Sequence, residues 1–584
     1  MAQTSIQQAQ TNRTSYSARL TQLFSGLALR EDRLFFALSI IIGILAGLAV
    51  VGFRIAIDRS SSLLLGSAPS HLRLLLAPSL TGLLIAALVI HVFPRVRGSG
   101  VNQTKAALYV YNGYIPFRTG IGKFITAALA IGSGHSLGPE DPSLQIGASL
   151  ASALGRRFRL SREHLRLIAP VGAAAGLAAA FNAPISAVLF VIEEVIGRWS
   201  ASILGSVVLS AISSVVVVRS FLGSEPLFRI PVVSFVHASE LVAYVILGLV
   251  GGCAAVVFAK SIGFLRPRLR ALPRWTQYLQ PAIAGFLIGL IGRFGAPQIM
   301  GAGYGYIDQA IHGHYTWQIL GILAGLKILA TTLSFVSGTP GGMFAPTLFI
   351  GAMLGGAVGD VERIFYPHLT GTTGTYALVG MGVLFAGFMR APMTSVFMVL
   401  EVSGNYSIIV PVIVANTFAY VMSRSFQPIP IFDLLTRQDG LVLPSLEEQR
   451  EQVLLRVEDA MKPVTTPVLS SDEPVQISFR RIQNVAPAVF LVRMSPSGWN
   501  MVTRDTLKQL VGEGKGEMTL GSNLRLRPLP YLYPDLPLEA ALPHISQFPL
   551  IPVVHRADSH RLEGVISRED VFKKYEQSAM EEGD

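Results

Sequence analysis

The sequence has little charge and almost no cysteine, and both shortages narrow its class. Lysine, arginine, aspartate and glutamate together make up 14% of the 584 residues, whereas hydrophobic residues make up 51%. A balance this apolar is unusual for a soluble protein of this length and predicts several membrane-spanning helices. Because Cys253 is the single cysteine, an internal disulfide framework is excluded.

The charge that is present is unevenly distributed. The net charge is +11, which in a soluble protein would suggest a nucleic-acid partner. Here the basic residues lie in short links between apolar runs, as at 156–162 and 260–270, and this pattern is typical of cytoplasmic loops. We therefore expect no nucleic-acid partner. We expect a multi-pass protein of the cell (plasma or inner) membrane, with both termini cytoplasmic.

The apolar runs also set the predicted domain boundaries. Residues 1–32 are expected to form a polar cytoplasmic segment, without the apolar core of a signal peptide. Residues 33–437 are the predicted membrane domain, 438–455 a linker and 456–584 a cytosolic α/β domain. Glycine and proline interrupt several apolar runs, which indicates broken or re-entrant helices enclosed by protein. The membrane domain is thus expected to be all-α.

The membrane domain contains an internal repeat. Residues 142–150 match residues 346–354 at six of nine positions, at an offset of 204. The other matching pairs are 183–193 with 391–401 and 98–100 with 301–303. General similarity between membrane helices is the alternative explanation, but it does not account for shared proline and glutamate. Two inverted repeats with Gly/Pro-broken segments in corresponding places predict a transport site near the bilayer midplane.

The broken segments have the composition of an anion site. A helix that starts inside the membrane presents unpaired N–H groups and the positive end of its dipole, and glycine lets the backbone approach a ligand closely. Several such starts that face one point would bind an anion. The starts at Gly98-Ser99-Gly100, Gly138–Pro142 and Gly341–Pro346 all have this character.

Charged residues inside apolar segments are the candidates for proton chemistry. Glu140 follows one broken segment, where its carboxylate could occupy the place of an anion and leave it on protonation; a helix-capping acid is the plainer alternative. Glu193 and Glu194 follow an apolar helix and are a candidate proton relay, or else a solvated helix end. For Lys123 and Lys327 we expect snorkelling to the membrane surface.

These motifs together resemble the CLC family of chloride channels and proton/chloride antiporters. The ordered set comprises Gly98–Asn102, Gly138–Pro142, Phe181–Pro184 with Glu193-Glu194, and Gly341–Pro346. The resemblance implies a homodimer with one pore in each subunit and anion coordination by helix N-termini. It also implies that chloride and protons are transported, and it implies no required cofactor and no metal.

The resemblance assigns roles position by position. Ser99 and Gly100 would contact the central anion, and serine here goes with chloride preference in the family. The backbone amides of Met343 and Phe344 would bind the same ion. Glu140 would be the external gate and Glu194 the internal proton glutamate, a position at which channels of the family usually have an apolar residue.

The sequence departs from the family pattern around the same motifs. The residues that flank Glu140 are Pro139 and Asp141, where the family has a basic residue and glycine, and Asn102 replaces a proline. The coordinating tyrosine of the family aligns with Phe432, which has no hydroxyl. An acid beside Glu140 is expected to raise the pKa of that glutamate or to repel anions.

The tail resembles a pair of CBS domains. Ala460–Val464 resembles the start of the first domain and Gly564–Val571 the end of the second. The resemblance implies that Ser567 and Asp570 are candidates for binding the ribose of an adenine nucleotide, while Thr506 replaces the corresponding aspartate of the first domain. A structural dimerisation tail is the alternative.

The motifs leave three functional hypotheses. Proton-coupled chloride exchange gated by Glu140 is the first hypothesis, and a passive voltage- or pH-gated chloride channel, favoured by Phe432 and Asp141, is the second. An intramembrane enzyme is the third, but the membrane part has no His-Glu-x-x-His or Gly-x-Ser-x-Gly motif, so we expect no enzyme.

Overall fold

A computed structural model describes residues 2–581 except 67–68, 198–200, 224–227, 229–239, 367–370, 442, 444–454, 486–488, 496–497, 524–528 and 557. Only the backbone is described for residues 2–30, 201–202 and 578–581. The chain forms two compact units that divide between residues 445 and 446. The predicted boundaries at 437 and 455 fall on either side of this division, and most of the predicted linker lies outside the described residues.

The regular secondary structure in the described part of the first unit is helical. Its α-helices are α1 (Ala2–Leu64), α2 (His71–Ala87), α3 (Gly100–Tyr109), α4 (Phe117–Gly132), α5 (Glu140–Arg157), α6 (Arg162–Phe181), α7 (Pro184–Phe190), α8 (Ala201–Leu222), α9 (Glu240–Ala271), α10 (Thr276–Arg293), α11 (Tyr304–Ile311), α12 (Trp317–Val336), α13 (Phe344–Phe365), α14 (Thr373–Met389), α15 (Pro392–Ser403), α16 (Ile409–Phe426) and α17 (Ile431–Gln438). Turns of π-helix cover Leu88–Val92 and Val191–Ile196, and 3₁₀ turns cover Pro94–Val96, Pro297–Ile299 and Tyr406–Ile408.

Many of these helices are long and apolar. Among the described residues, eight helices have the length and hydropathy needed to cross a membrane. Others start or stop between the long ones: α3, α7, α11 and α15 each have 12 residues or fewer. Of the three predicted broken starts, Gly98–Gly100 precedes a short helix, α3, whereas Gly138–Pro142 and Gly341–Pro346 lie at the starts of the longer α5 and α13.

Two helix connections show why the repeated segments fold alike. Helix α6 ends at Asn182, which has a φ of 56°, and α14 ends at Arg390, which has a φ of 61°. A left-handed residue ends a helix and turns the chain. An Ala-Pro pair follows in both places, and the proline is the first residue of α7 or α15, where its missing N–H costs nothing.

Corresponding elements of the two repeats contact one another reciprocally. A Cβ atom added to Gly82 of α2 would lie 2.6 Å from the carbonyl oxygen of Pro281, and one added to Gly285 of α10 would lie 2.4 Å from that of Pro78. The amides of Gly138 and Gly342 each donate to the carbonyl of the other at 2.8 Å. Such exchanged contacts require an approximate two-fold axis between the repeats.

The second unit contains two small sheets with helices around them. Strands β1 (Leu469–Ser470), β2 (Val489–Arg493) and β3 (Trp499–Thr503) form one sheet in the order β1-β2-β3, and β4 (Leu550–His555) pairs antiparallel with β5 (Asp558–Ser567). The helices are α18 (Val457–Ala460), α19 (Val475–Ile482), α20 (Arg504–Gly512), α21 (Leu520–Asn523), α22 (Leu542–Ile545) and α23 (Arg568–Glu581), with a 3₁₀ turn at Leu538–Ala541.

The start of this unit packs with its end. Val457 and Ala460 of α18 belong to one apolar core with Ile551 and Val571. Lys462 and Val565 exchange backbone hydrogen bonds of 2.8 and 2.9 Å. The segment predicted to open the first CBS domain therefore contributes to the core of the second half.

Candidate functional site

The first feature of the site is a carboxylate at the start of α13. The Gly138–Gly342 bridge brings the starts of α5 and α13 together. Glu140, the first residue of α5, is fully buried, and its Oε2 accepts a hydrogen bond of 3.3 Å from the amide of Ala345. Ala345 directly follows Met343 and Phe344, the residues predicted to bind the anion. The glutamate thus occupies the helix start that the sequence assigned to an anion.

A second carboxylate lies at the start of α3. The Ser99 hydroxyl accepts a hydrogen bond of 3.1 Å from the Val101 amide and so caps this helix. Oδ1 of Asp141 also accepts hydrogen bonds from the amides of Gly100 at 2.5 Å and Val101 at 3.3 Å. Asp141 was predicted as a neighbour that perturbs Glu140, whereas the structure directs its side chain to the predicted Ser99–Gly100 anion site.

Aromatic rings enclose the site. The ring centroid of Phe344 lies 5.0 Å from that of Phe190 and 6.4 Å from that of Phe432. Phe432 is fully buried, and its carbonyl accepts a hydrogen bond of 3.0 Å from the Asn102 side chain. The position where the family has a tyrosine hydroxyl is therefore part of an apolar cluster.

Glu194 belongs to a buried ionic network. Lys105 of α3 donates hydrogen bonds of 2.9 Å to Oε1 of Glu194 and of 2.9 Å to Oδ1 of Asp433. The side chains of Lys105 and Glu194 are 2% and 1% exposed. Sequence reasoning missed Lys105 and Asp433. The signal that could have found them is that charges within apolar segments need partners of opposite sign.

Glu193 faces a different direction from Glu194, because consecutive residues of a helical turn, here Val191–Ile196, point to different sides. Its Oε2 accepts hydrogen bonds of 3.0 Å from the amide and 2.8 Å from the hydroxyl of Thr394, at the start of α15. Glu401 reciprocally accepts the amides of Ile185 at 2.9 Å and Ser186 at 2.7 Å at the start of α7. Glu193 therefore caps a helix of the other repeat, whereas Glu194 bonds to Lys105.

The prediction that Lys123 and Lys327 snorkel to the surface is wrong, because both are fully buried. The ammonium group of Lys123 donates to the carbonyls of Gly98 at 2.7 Å and Val96 at 3.1 Å. That of Lys327 donates to Gly301 at 2.7 Å and Ile299 at 2.9 Å. Each lysine stabilises the loop that precedes the first short helix of its own repeat.

Two cavities reach the motifs. One of about 470 Å³ is lined by Ser99 and Asn102 together with Arg95, Arg97 and Arg270. Its arginines would raise the local concentration of anions. Another of about 240 Å³ is lined by Pro139 and Ser143, next to Glu140, and by the 301–304 segment of the second repeat.

In the second unit, Ser567 and Asp570 bond to each other. The Ser567 hydroxyl and amide donate to Oδ2 of Asp570 at 2.6 and 3.0 Å, and Lys462 pairs with the same carboxylate. Burial acts to raise the pKa of Asp570, but the hydrogen bonds from Lys462 and Ser567 outweigh it, so this pKa lies below its ordinary value. At the corresponding point of the first half, Thr503 bonds to Thr506.

Comparisons with known proteins agree with this architecture. Residues 81–424 match the family described as voltage gated chloride channel, and residues 522–577 match the CBS domain. A relative from Ralstonia nicotianae, which carries the provisional description chloride channel protein ClcB-like, is 32% identical over 60% of this chain and 82% of its own length. The H(+)/Cl(-) exchange transporter ClcA of Vibrio campbellii is 33% identical over 68% of this chain and 87% of its own length.

Solved structures show the same fold. A slow cyanobacterial Cl⁻/H⁺ antiporter superposes with a TM-score of 0.65 at 25% identity, over 71% of this chain and 99% of its own. A eukaryotic CLC transporter superposes with a TM-score of 0.61 at 20% identity, over 92% and 97%.

The fold and the broken-helix site define a multi-pass membrane protein built on two repeats. More particularly, the chain belongs to the voltage gated chloride channel (CLC) family. The predicted family is confirmed, and so is the fold class, a helical membrane domain followed by a strand and helix region with a CBS domain.

Proposed function

We propose that the membrane unit exchanges chloride for protons and that Glu140 is both its gate and its proton carrier. The observation that carries the proposal is the buried Glu140 carboxylate on the Ala345 amide, at a helix start suited to an anion. Protonation would remove the charge that holds the side chain there, and chloride would take its place. The exchange activity named for the Vibrio relative supports this assignment.

The remaining residues act around this step. Ser99, Gly100 and the amides of Met343 and Phe344 would contact chloride, while the Phe432 ring would narrow the route. Glu194 would pass protons between Glu140 and the cytosol, with Lys105 setting its charge.

Reconstituted liposomes provide the test. We expect Glu140→Gln to abolish proton movement while chloride flux persists, because glutamine fills the same space but cannot carry a proton. Chloride efflux and internal pH would be recorded on the same vesicles. Unchanged proton coupling in this variant would contradict the proposal.

A passive channel is the second candidate, and the absence of a hydroxyl at Phe432 favours it. An outward chloride gradient imposed on vesicles at equal internal and external pH separates the two functions. An exchanger moves protons inward as chloride leaves, whereas a channel leaves the pH unchanged.

The cellular setting follows from the same proposal. We place the protein in the cell (plasma or inner) membrane with both termini cytoplasmic, supported by the basic links between the apolar segments. The homodimer is proposed from the family resemblance alone. Single-molecule subunit counting in bilayers would test the dimer, and labelling of cysteines introduced at the termini would test the orientation.

For the second unit we propose an adenine nucleotide at Ser567 and Asp570. The pair lies at the start of α23, where the Ser567 amide and hydroxyl hold a carboxylate, and a carboxylate can accept hydrogen bonds from ribose hydroxyls. Calorimetric titration of the full chain with ATP and AMP, with Asp570→Ala as the comparison, tests it. Equal heats for both proteins would exclude the site.

A further inference from the structure

Asp141 occupies the helix start that the proposed function assigns to chloride. Its Oδ1 lies 2.5 Å from the amide nitrogen of Gly100 and 3.3 Å from that of Val101, and its side chain is fully buried. We propose that Asp141 is a second gate, which holds the α3 anion position while Glu140 holds the α13 position. This inference rests on the proposed anion route.

The surroundings of Asp141 fit it closely. A Cβ atom on Gly100 would lie 2.8 Å from its Oδ1, and one on Gly342 would lie 2.7 Å from its Cβ. Glycine from each repeat is therefore needed for the side chain to lie where it does. The two glycines belong to the two motifs that were predicted to bind the anion.

The carboxylate is incompletely satisfied in this position. Its Oδ2 is buried and has no hydrogen-bond partner within the part of the chain that the structure describes. A buried polar atom without a partner carries a free-energy cost. Attraction between the negative charge and the α3 amides offsets this cost, as it would for a bound anion.

The neighbouring charges suit exchange of the carboxylate for chloride. Lys123 attracts Asp141, and its ammonium group lies on the Gly98 and Val96 carbonyls just before α3. Glu140 is the adjacent acid, and its carboxyl group lies on the Ala345 amide of α13 and not on α3. When Asp141 moves away, the α3 amides and Lys123 remain to receive an anion from the arginine-lined cavity that Ser99 borders.

The first consequence concerns chloride affinity. Chloride that reaches Ser99 must displace a tethered carboxylate, so the wild-type protein binds chloride weakly at this position. A neutral asparagine keeps an oxygen acceptor for the amides but competes less. We expect Asp141→Asn to bind chloride about tenfold more tightly, the scale on which a charge at a helix N-terminus acts.

Equilibrium binding is the test because it requires neither transport nor proton coupling. The full chain in detergent would be titrated with chloride by calorimetry in gluconate buffer. Asp141→Asn and Asp141→Gly would be compared with wild type, and the glycine variant restores the residue expected from the family pattern. Asp360→Asn is the matched control, since its carboxylate receives the Thr373 hydroxyl at 2.6 Å and does not contact α3.

The outcomes separate the hypotheses. Tighter chloride binding in both Asp141 variants and wild-type affinity in Asp360→Asn support the second gate. Wild-type affinity in Asp141→Gly, or in a folded Asp141→Asn, would show that Asp141 only caps α3 and would overturn the inference. Glu140→Gln distinguishes the two failures when the Asp141 variants show wild-type affinity. If Glu140→Gln neither binds nor transports chloride, the proposed function fails. If Glu140→Gln binds and transports chloride, only the second-gate inference fails.

Discussion

At the scale of single residues, adjacent acids have different partners. Glu140 and Asp141 both lie in the first turn of α5, yet one reaches α13 and the other reaches α3. Glu193 and Glu194 diverge likewise: Glu193 contacts α15 and Glu194 contacts Lys105. The sequence alone placed these acids within or beside membrane segments, but it did not show which helix each side chain would contact.

Lys105 makes the most consequential of these contacts. Removing it would leave Glu194 and Asp433, whose side chains are 1% and 14% exposed, as neighbouring negative charges without their cation. We expect Lys105→Met to lose stability by about 3–5 kcal/mol, because breaking a buried ion pair leaves an uncompensated charge. Thermal unfolding in detergent would show this as a lower Tm.

Two further variants make this measurement specific. Lys260→Met removes an exposed lysine of α9 and should leave Tm unchanged. Glu194→Gln added to Lys105→Met should recover part of the loss, since one of the two buried charges is then removed. If Lys105→Met unfolds at the wild-type temperature, the network does not stabilise the fold.

At the scale of elements, glycine sets how closely helices pack. A Cβ atom on Gly176 of α6 would lie 2.1 Å from the carbonyl oxygen of Ser143 on α5. In the second repeat, one on Gly380 of α14 would lie 2.2 Å from the carbonyl oxygen of Gly351 on α13. The pairs α5–α6 and α13–α14 position Glu140 and Phe344. The geometry of the site therefore depends on glycines that let the backbones of packed helices touch.

Substitution of these glycines should therefore be costly. We expect Gly380→Ala to destabilise the protein by at least about 1–3 kcal/mol, the usual cost of overpacking, because a backbone carbonyl cannot move aside. Gly325→Ala on α12 is the control, since nothing lies within 4 Å of its added Cβ. Tm and the monodisperse fraction after purification would be compared, and equal values would contradict close packing at Gly380.

Some helix starts were predictable from the sequence, whereas contacts between helices of different repeats were not. The repeat at 142–150 and 346–354 identified the starts of α5 and α13 because a nine-residue match is visible by inspection. The reciprocal contact of α2 and α10 was not predicted, although residues 76–85 and 279–288 match at five of ten positions, because three of the five matches are common membrane residues and only Pro-x-x-x-Gly is distinctive. Contacts between residues 200 positions apart depend on the axis relating the repeats, which a single sequence does not specify.

At the scale of the whole molecule, that axis joins the repeats by exchanged helix caps and by a backbone bridge between two glycines. Glu193 caps α15 and Glu401 caps α7, while Gly138 and Gly342 pair directly beside the proposed gate. Buried Lys123 and Lys327 occupy corresponding places in the two repeats. Charged residues that stabilise the fold therefore occur in both repeats. Glu140 and Glu194 do not: Phe344 takes the place of Glu140 in the second repeat, and Val402 takes the place of Glu194.

This separation gives a prediction for the glutamate pair. Glu193 was predicted as a proton group from its place in the sequence, but its cap on α15 has an equivalent in Glu401. We expect Glu193→Gln and Glu401→Gln each to lower stability by about 1 kcal/mol, as loss of a charged cap does, and to leave the ratio of protons to chloride unchanged. Glu194→Gln should lower proton flux. Tm and the coupled fluxes of chloride and protons in liposomes would be measured for all three variants. If Glu193→Gln uncouples transport while Glu401→Gln does not, the two positions differ in function despite their equivalent contacts. Glu193 would then belong to the proton route.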